Sequence, residues 1–135
     1  MSAGLILAAP ASGSGKTTLT LALLRHLKRS GKRIASAKAG PDYIDPAFHG
    51  AASGTPCFNL DAWAMRRETI AALVAVLERE ADIVLCEGAM GLFDGAGSAG
   101  RGSTGDLAAL TGWPVVLVVD VEISATGRRT GRQTK

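Results

Sequence analysis

The sequence predicts an α/β fold, a parallel sheet flanked by helices, and three observations predict it. Strand-like apolar runs alternate with stretches whose apolar residues recur at helical spacing, which implies parallel pairing through right-handed crossovers. The first such unit joins its apolar run to its helix through a short Gly/Ser-rich turn. The chain has 135 residues, 47% of them hydrophobic, enough for one domain of ordinary size with a real core.

Leu5–Ala9 reads as a short buried strand, and Lys16–Ser30 as a helix with Leu19, Leu23, Leu24 and Leu27 on its apolar side and Gly31 as its stop. Arg33–Ala37 is a second strand. It leads into Lys38-Ala39-Gly40-Pro41-Asp42-Tyr43-Ile44-Asp45-Pro46, where two prolines and a glycine predict a loop. Residues 51–56 are a Gly/Ser/Thr/Pro turn region. A second helix runs from about Met65 to Glu80 with Ile70, Leu73, Val74 and Leu77 on its apolar face. Ile83-Val84-Leu85-Cys86 is a third strand of the continuous apolar kind expected when both faces are covered. Gly95–Gly105 reads as a flexible loop, Asp106–Leu110 as a short helix capped by Ser103 or Thr104, and Val115–Val119 as a fourth strand ending in Asp120. Residues 127–135 carry no apolar residue and are expected to be disordered, which bounds the folded domain at 1–126.

The chemistry concentrates where the strands end. Ser12-Gly13-Ser14-Gly15-Lys16-Thr17-Thr18 stands between a strand and a helix N-terminus, where backbone N–H groups and the helix dipole make an anion site. Gly13 and Gly15 let the backbone approach phosphate oxygens, Lys16 reaches the β- and γ-phosphates, and the Thr17 hydroxyl ligates Mg²⁺. The full phosphate-loop pattern wants a further glycine where Pro10 stands, so the match is a variant. Glu87, at the tip of a buried strand, stands where ligands bind in open α/β sheets and where an acid holds Mg²⁺ directly or through water. Lys38, Asp42, Tyr43 and Asp45 crowd one loop. Plainer readings stand beside these. Glu87, Asp42 and Asp45 also suit turn or helix caps, Lys38 a solvated charge, Asp94 an Asp-Gly turn, and His49 packing or loop structure.

Other classes are excluded. Four of the positive charges, Arg128, Arg129, Arg132 and Lys135, fall in the C-terminal stretch. The body is therefore near neutral despite the net +3, and a basic nucleic-acid face is not expected. No run approaches the ~20 apolar residues of a membrane span. The N-terminus lacks a secretory pattern, so a cytoplasmic location is expected. Cys57 and Cys86 have no metal-type spacing; Cys86 reads as a small core residue and Cys57 as structural, with no disulfide.

These residues carry a resemblance. Lys38-Ala-Gly-Pro-Asp-Tyr-Ile-Asp-Pro-Ala-Phe-His49, Asn59-Leu-Asp61 and Glu87-Gly-Ala-Met-Gly-Leu-Phe-Asp-Gly95 resemble the signatures of cobyrinic acid a,c-diamide synthases. The phosphate loop does so too, including its missing early glycine, and the likeness spans about residues 4 to 124. The resemblance implies a phosphate-loop NTPase-like, dethiobiotin-synthetase-like domain. It implies ATP- and Mg²⁺-dependent conversion of the a and c carboxylates of a corrinoid to amides through acyl phosphates, with ammonia from glutamine. It further implies that Thr17, Asp45 and Glu87 organise Mg²⁺, with Asp42 in the same site. Lys38 would neutralise the substrate carboxylate or the acyl phosphate, Tyr43 and Ile44 would orient the corrinoid, and Asp94 would lie near the substrate. A homodimer is the implied assembly. Family members are several times longer. The expectation is therefore a truncated or frameshifted product, incomplete at the C-terminus, without the C-terminal glutaminase domain, and neither Cys57 nor Cys86 is that domain's nucleophile.

Three other readings compete. Dethiobiotin synthetase and cobyric acid synthase are related ligases, and the Gly-Pro-Asp-Tyr-Ile-Asp-Pro loop favours the diamide synthases over the former. Partitioning-type ATPase switches carry an early lysine where this chain has Ala11. An inactive fragment is the third.

Overall fold

A computed structural model describes residues 3–123 and 129–130. The strands β1 (Ala3–Ala8), β2 (Ile34–Ala39), β3 (Cys57–Leu60), β4 (Ile83–Glu87) and β5 (Val115–Leu117) form one sheet in the order β3-β2-β4-β1-β5. Every neighbouring pair is parallel. The helices are α1 (Lys16–Arg29), α2 (Asp45–Ser53), α3 (Arg67–Glu80) and α4 (Thr104–Thr111).

Alternation along the central strands divides the core in two, because successive side chains of a strand point to opposite faces. Leu7, Leu85 and Ile34 pack with Leu24 of α1, joined by Leu23, Leu27 and Ala52 of α1 and α2. Ile6, Val84, Cys86, Ala35 and Ala37 face the other way, against Ile70 and Leu77 of α3, Leu107 of α4 and Trp113. The result is a three-layer α/β/α arrangement in which α1 and α2 share a face. Trp113 donates from its indole to Glu78 at 3.0 Å and lies hard against Gly4; a β-carbon there would meet the indole nitrogen at 2.0 Å. Lys28 and Arg29 end α1 with the positive charge its dipole favours.

The differences from the sequence expectation are local. The second strand runs on to Ala39, because its ladder with β4 continues through Lys38, the register partner of Glu87. The loop expected up to Pro46 therefore shrinks to residues 40–44. Asp45 and Pro46 open α2, an element the sequence reading missed, with proline in the first turn where its lacking N–H costs nothing. Strand β3 was missed as well. Its four residues are a mixed-polarity edge strand too short for a periodicity signal. The helix after the Gly/Ser loop is longer than expected, Thr104–Thr111, and Ser103 is its cap in a reciprocal capping box with Asp106. The 95–105 loop is structured: Ala96 and Arg101 pair, and Gly102 packs on the backbone of Trp63. The fourth strand stops at Leu117, two residues early. Cys86 is fully buried, as expected of a core residue. Two residues of the tail expected to be disordered, Arg129–Thr130, pair antiparallel with Glu122–Ile123; residues 127–128 and 131–135 lie outside the described residues. No helix among the described residues is long and apolar enough to cross a membrane.

Candidate active site

The sheet order creates a crevice. The connection from β1 leads one way, to β2, while that from β4 leads the other way, to β5. Ligands of open α/β sheets bind beyond the strand ends at such a reversal. The Ser12–Thr18 turn leaves β1 there, and Glu87 closes β4 beside it, its Cα opposite that of Leu7. The two ends are tied by Gly88 donating to the Leu7 carbonyl at 2.7 Å and Leu92 to that of Ala9 at 2.8 Å.

The phosphate loop has the backbone its glycines predict. Gly13 and Gly15 both take φ of 81°, where a side chain is strained, and nothing lies within 4 Å of where a β-carbon would stand. Ser14 donates to the Ala11 carbonyl and closes the turn. Gly15 is the N-cap of α1, so Lys16, Thr17 and Thr18 form its first turn, and no acid there competes for an anion. Lys16 is buried along its stem and donates through Nζ to the Met90 carbonyl at 2.8 Å. Burial, seconded by the nearby Lys38 ammonium, lowers its pKa. Met90 holds a positive φ of 48°, uncommon outside glycine, at the point where its carbonyl meets Lys16.

Glu87 is the centre of the site. It is 1% exposed, and its two oxygens are divided between partners. Oε1 accepts from the Thr17 hydroxyl at 2.5 Å and from Lys38 Nζ at 3.1 Å; Oε2 is 2.6 Å from Nε2 of His49. Burial alone would raise this carboxyl, but His49, Thr17 and Lys38 outweigh it and its pKa is lowered. Lys38 also reaches Asp45 at 3.0 Å, Asp42 at 3.8 Å and the Gly88 carbonyl at 3.3 Å. Burial opposes the ammonium, yet Glu87 and Asp45 raise its pKa. Asp42 caps its own loop, accepting from the backbone N–H groups of Ile44 and Asp45 at 2.8 and 3.0 Å. These bonds outweigh its partial burial and lower its pKa. Asn59 secures the same loop by donating to the Asp42 carbonyl, while its buried Oδ1 has no partner.

The expected residues thus divide. Lys38, Asp42, Asp45, Thr17 and Glu87 converge on one cluster, with Lys16 beside it. Asp94 accepts from the Gly91 N–H at 2.9 Å, a turn role, and contributes a weak attraction to Lys16. Tyr43 and Ile44 are 91% and 69% exposed and stand out from the loop above the cluster. His49 is the residue whose partner the sequence reading missed: it is fully buried, as the packing alternative expected, but it lies in α2 and not in a loop. Its signal was the four-residue spacing from Asp45, which puts both side chains on one helix face once 45–53 is read as a helix.

Thr17, Asp45 and Glu87 supply hard oxygen donors of the kind Mg²⁺ takes. Among the described residues no three or more His, Cys, Asp and Glu side chains gather as a metal site. The Lys38 ammonium stands between the Asp45 and Glu87 carboxylates, an observation that this cluster is built to receive positive charge. The donor set therefore fits the ion.

The family model describing the CobQ/CobB/MinD/ParA nucleotide binding domain matches residues 5–106. Curated relatives named hydrogenobyrinate a,c-diamide synthase include one from Brucella anthropi, 64% identical over 118 residues, covering 87% of this chain and 27% of the relative. Another, from Rhodobacter capsulatus, is 60% identical over 122 residues, covering 88% of this chain and 28% of the relative. A third, from Rhizobium meliloti, is 59% identical over 117 residues, with 87% and 27% covered. The chain thus spans little more than a quarter of the length of the relatives it matches.

Proposed function

This chain belongs to the CobQ/CobB/MinD/ParA nucleotide-binding domain family, and from that membership we propose that residues 1–126 are ATP-binding synthetase machinery for amidating corrinoid carboxylates, as in a hydrogenobyrinate a,c-diamide synthase. The observation that carries the reading is the meeting of the phosphate loop with Glu87 and Lys38: Thr17 and Lys38 share one oxygen of a buried carboxylate. A phosphoryl group moving to a carboxylate needs positioning and charge neutralisation, and little covalent chemistry from the protein.

On this reading the loop amides and Lys16 hold the nucleotide phosphates, and Lys16 gives up its bond to Met90 to do so. Thr17, Asp45 and Glu87 would hold Mg²⁺, which when bound supplies charge neutralisation on the phosphate oxygens. Lys38 is placed to neutralise the substrate carboxylate as it is activated to an acyl phosphate, with Asp42 holding the loop that carries it. Tyr43 and Ile44 offer exposed apolar surface to the ring of the substrate, and Asp94 lies at the edge of the site where ammonia would arrive. The ammonia would come from glutamine, through a glutaminase unit beyond these residues. The same reading places the protein in the cytoplasm as a homodimer.

The test is thermal unfolding of the chain with and without millimolar Mg-ATP. A ligand that binds only the folded state at ~100 times its Kd adds about 2.7 kcal/mol. A raised midpoint that vanishes in Lys16→Ala is the expected result. An unchanged midpoint in the wild type would overturn the reading.

A further inference from the structure

The histidine on α2 has been given no role in the proposed chemistry, yet it makes one of the shortest contacts of the site. His49 is fully buried, and Nε2 lies 2.6 Å from Oε2 of Glu87. A carboxylate oxygen accepts, so Nε2 carries the proton and donates. Nδ1 faces the Cys57 sulfur at 3.5 Å. The terminal torsion of a glutamate is soft, with broad wells, and its partners decide which oxygen points where. Here the partners are sorted. Thr17 of the phosphate loop and Lys38 of β2 are both on Oε1; His49 alone is on Oε2.

We infer that His49 is a positioning residue that holds Glu87 with Oε1 toward the phosphate loop, and that it ties this orientation to the Asp42–Asp45 loop through α2. The inference rests on the proposed nucleotide reading. Asp45 and His49 are one helical turn apart on α2. The first grips Lys38 at 3.0 Å and the second grips Glu87, while Lys38 and Glu87 are register partners on adjacent strands. The four side chains close a ring across two strands and one helix. A shift of α2 when the 40–44 loop meets a substrate therefore moves both grips together. A histidine used only for packing would not direct its donor at the one buried carboxylate that ends β4.

The experiment measures binding of ATP to the 135-residue chain by calorimetry, once in excess Mg²⁺ and once in EDTA, for the wild type, His49→Leu, His49→Gln and His49→Asn. Loss of an outer partner of a metal-holding group weakens metal affinity by about 10–100-fold. The expected result is that loss in the Mg-dependent part of binding for His49→Leu, with binding in EDTA little changed. Glutamine places its amide nitrogen near the lost Nε2 and retains the Mg²⁺ dependence; asparagine is too short and loses it. In a Glu87→Gln background, His49→Leu has no further effect. Should His49→Leu fail to fold, the Gln–Asn comparison decides. Equal Mg²⁺ dependence in Gln and Asn, or a His49→Leu loss that is the same in EDTA or persists in Glu87→Gln, would overturn the inference while the nucleotide reading stands. A wild-type chain that binds ATP in neither condition overturns that reading, and the inference with it.

Discussion

Replacing Lys38 by methionine keeps the unbranched stem and removes the ammonium on which the acidic cluster closes. In the native protein Nζ lies 3.0 Å from Asp45, 3.1 Å from Glu87 and 3.8 Å from Asp42. Asp42 and Asp45 are partly exposed and can turn to water. Glu87 cannot, and it is left with the Thr17 hydroxyl and His49. Deleting one partner of a buried ion pair costs about 3–5 kcal/mol, and the partial exposure of two of the three acids argues for the lower end, about 3 kcal/mol. That is a large share of the ~5–15 kcal/mol that holds a domain of this size. With a urea slope of roughly 1–3 kcal/mol/M, the midpoint falls by about 1–3 M. The pH dependence has a definite sign. The Lys38 pKa is raised by folding, so its contribution is whole at neutral pH and fades only as pH rises through the folded value. Those of Glu87 and Asp42 are lowered, so their contributions are present above the ordinary carboxylate range and fade as pH falls through the folded values. Without Lys38, Glu87 takes up its proton at a higher pH, which relieves the buried charge. The gap between variant and wild type therefore narrows on going from pH 8 down into the ordinary carboxylate range, at about pH 4. Urea unfolding followed by far-UV circular dichroism at both pH values measures it. A midpoint change under about 0.3 M at pH 8, or a gap that widens in acid, would refute the argument.

Three further outcomes follow from the packing. Gly4→Ala sets a β-carbon 2.0 Å from the Trp113 indole nitrogen, and overpacking of this kind costs ~1–3 kcal/mol; a lowered thermal midpoint with altered Trp113 fluorescence is expected, and Trp113→Leu should suppress most of the loss. Ser103→Ala removes the N-cap of α4 and half of its capping box, for a loss of about 1 kcal/mol in thermal or urea unfolding. Cys86 is fully buried and burial raises its thiol pKa, so a thiol-specific reagent should modify it only under unfolding conditions, with Cys57 the sole residue accessible in the native chain.

Much of the fold was legible because its signals are local. Strand β1, the glycine turn and helix α1 are contiguous, and each is set by residues within one turn or one strand length. The apolar run at 83–86 and the amphipathic run ending at Glu80 read equally well. The missed elements are those without such signals. Residues 45–53 hold too few apolar side chains to mark a helical stripe. Residues 57–60 are a strand only because β2 offers them a ladder. The same gap hid His49. Without α2 there was no reason to set it one turn from Asp45, and without the sheet register none to set it against Glu87.

The sequence by itself determined the glycine turn at Ser12–Thr18, the parallel α/β class and the acids and lysines that carry charge. Glycine torsions, strand runs and helical periodicity are properties of short stretches of chain. Only the tertiary structure decided what those charges do. Pairing β2 beside β4 in parallel register puts Lys38 on Glu87, and folding α2 back over that pair adds Asp45 and His49. Those four residues are up to 49 positions apart, and nothing local dictates their meeting. It arises because the strand ends share one crevice, where burial makes every unpaired charge costly and so selects the single arrangement in which each finds a partner.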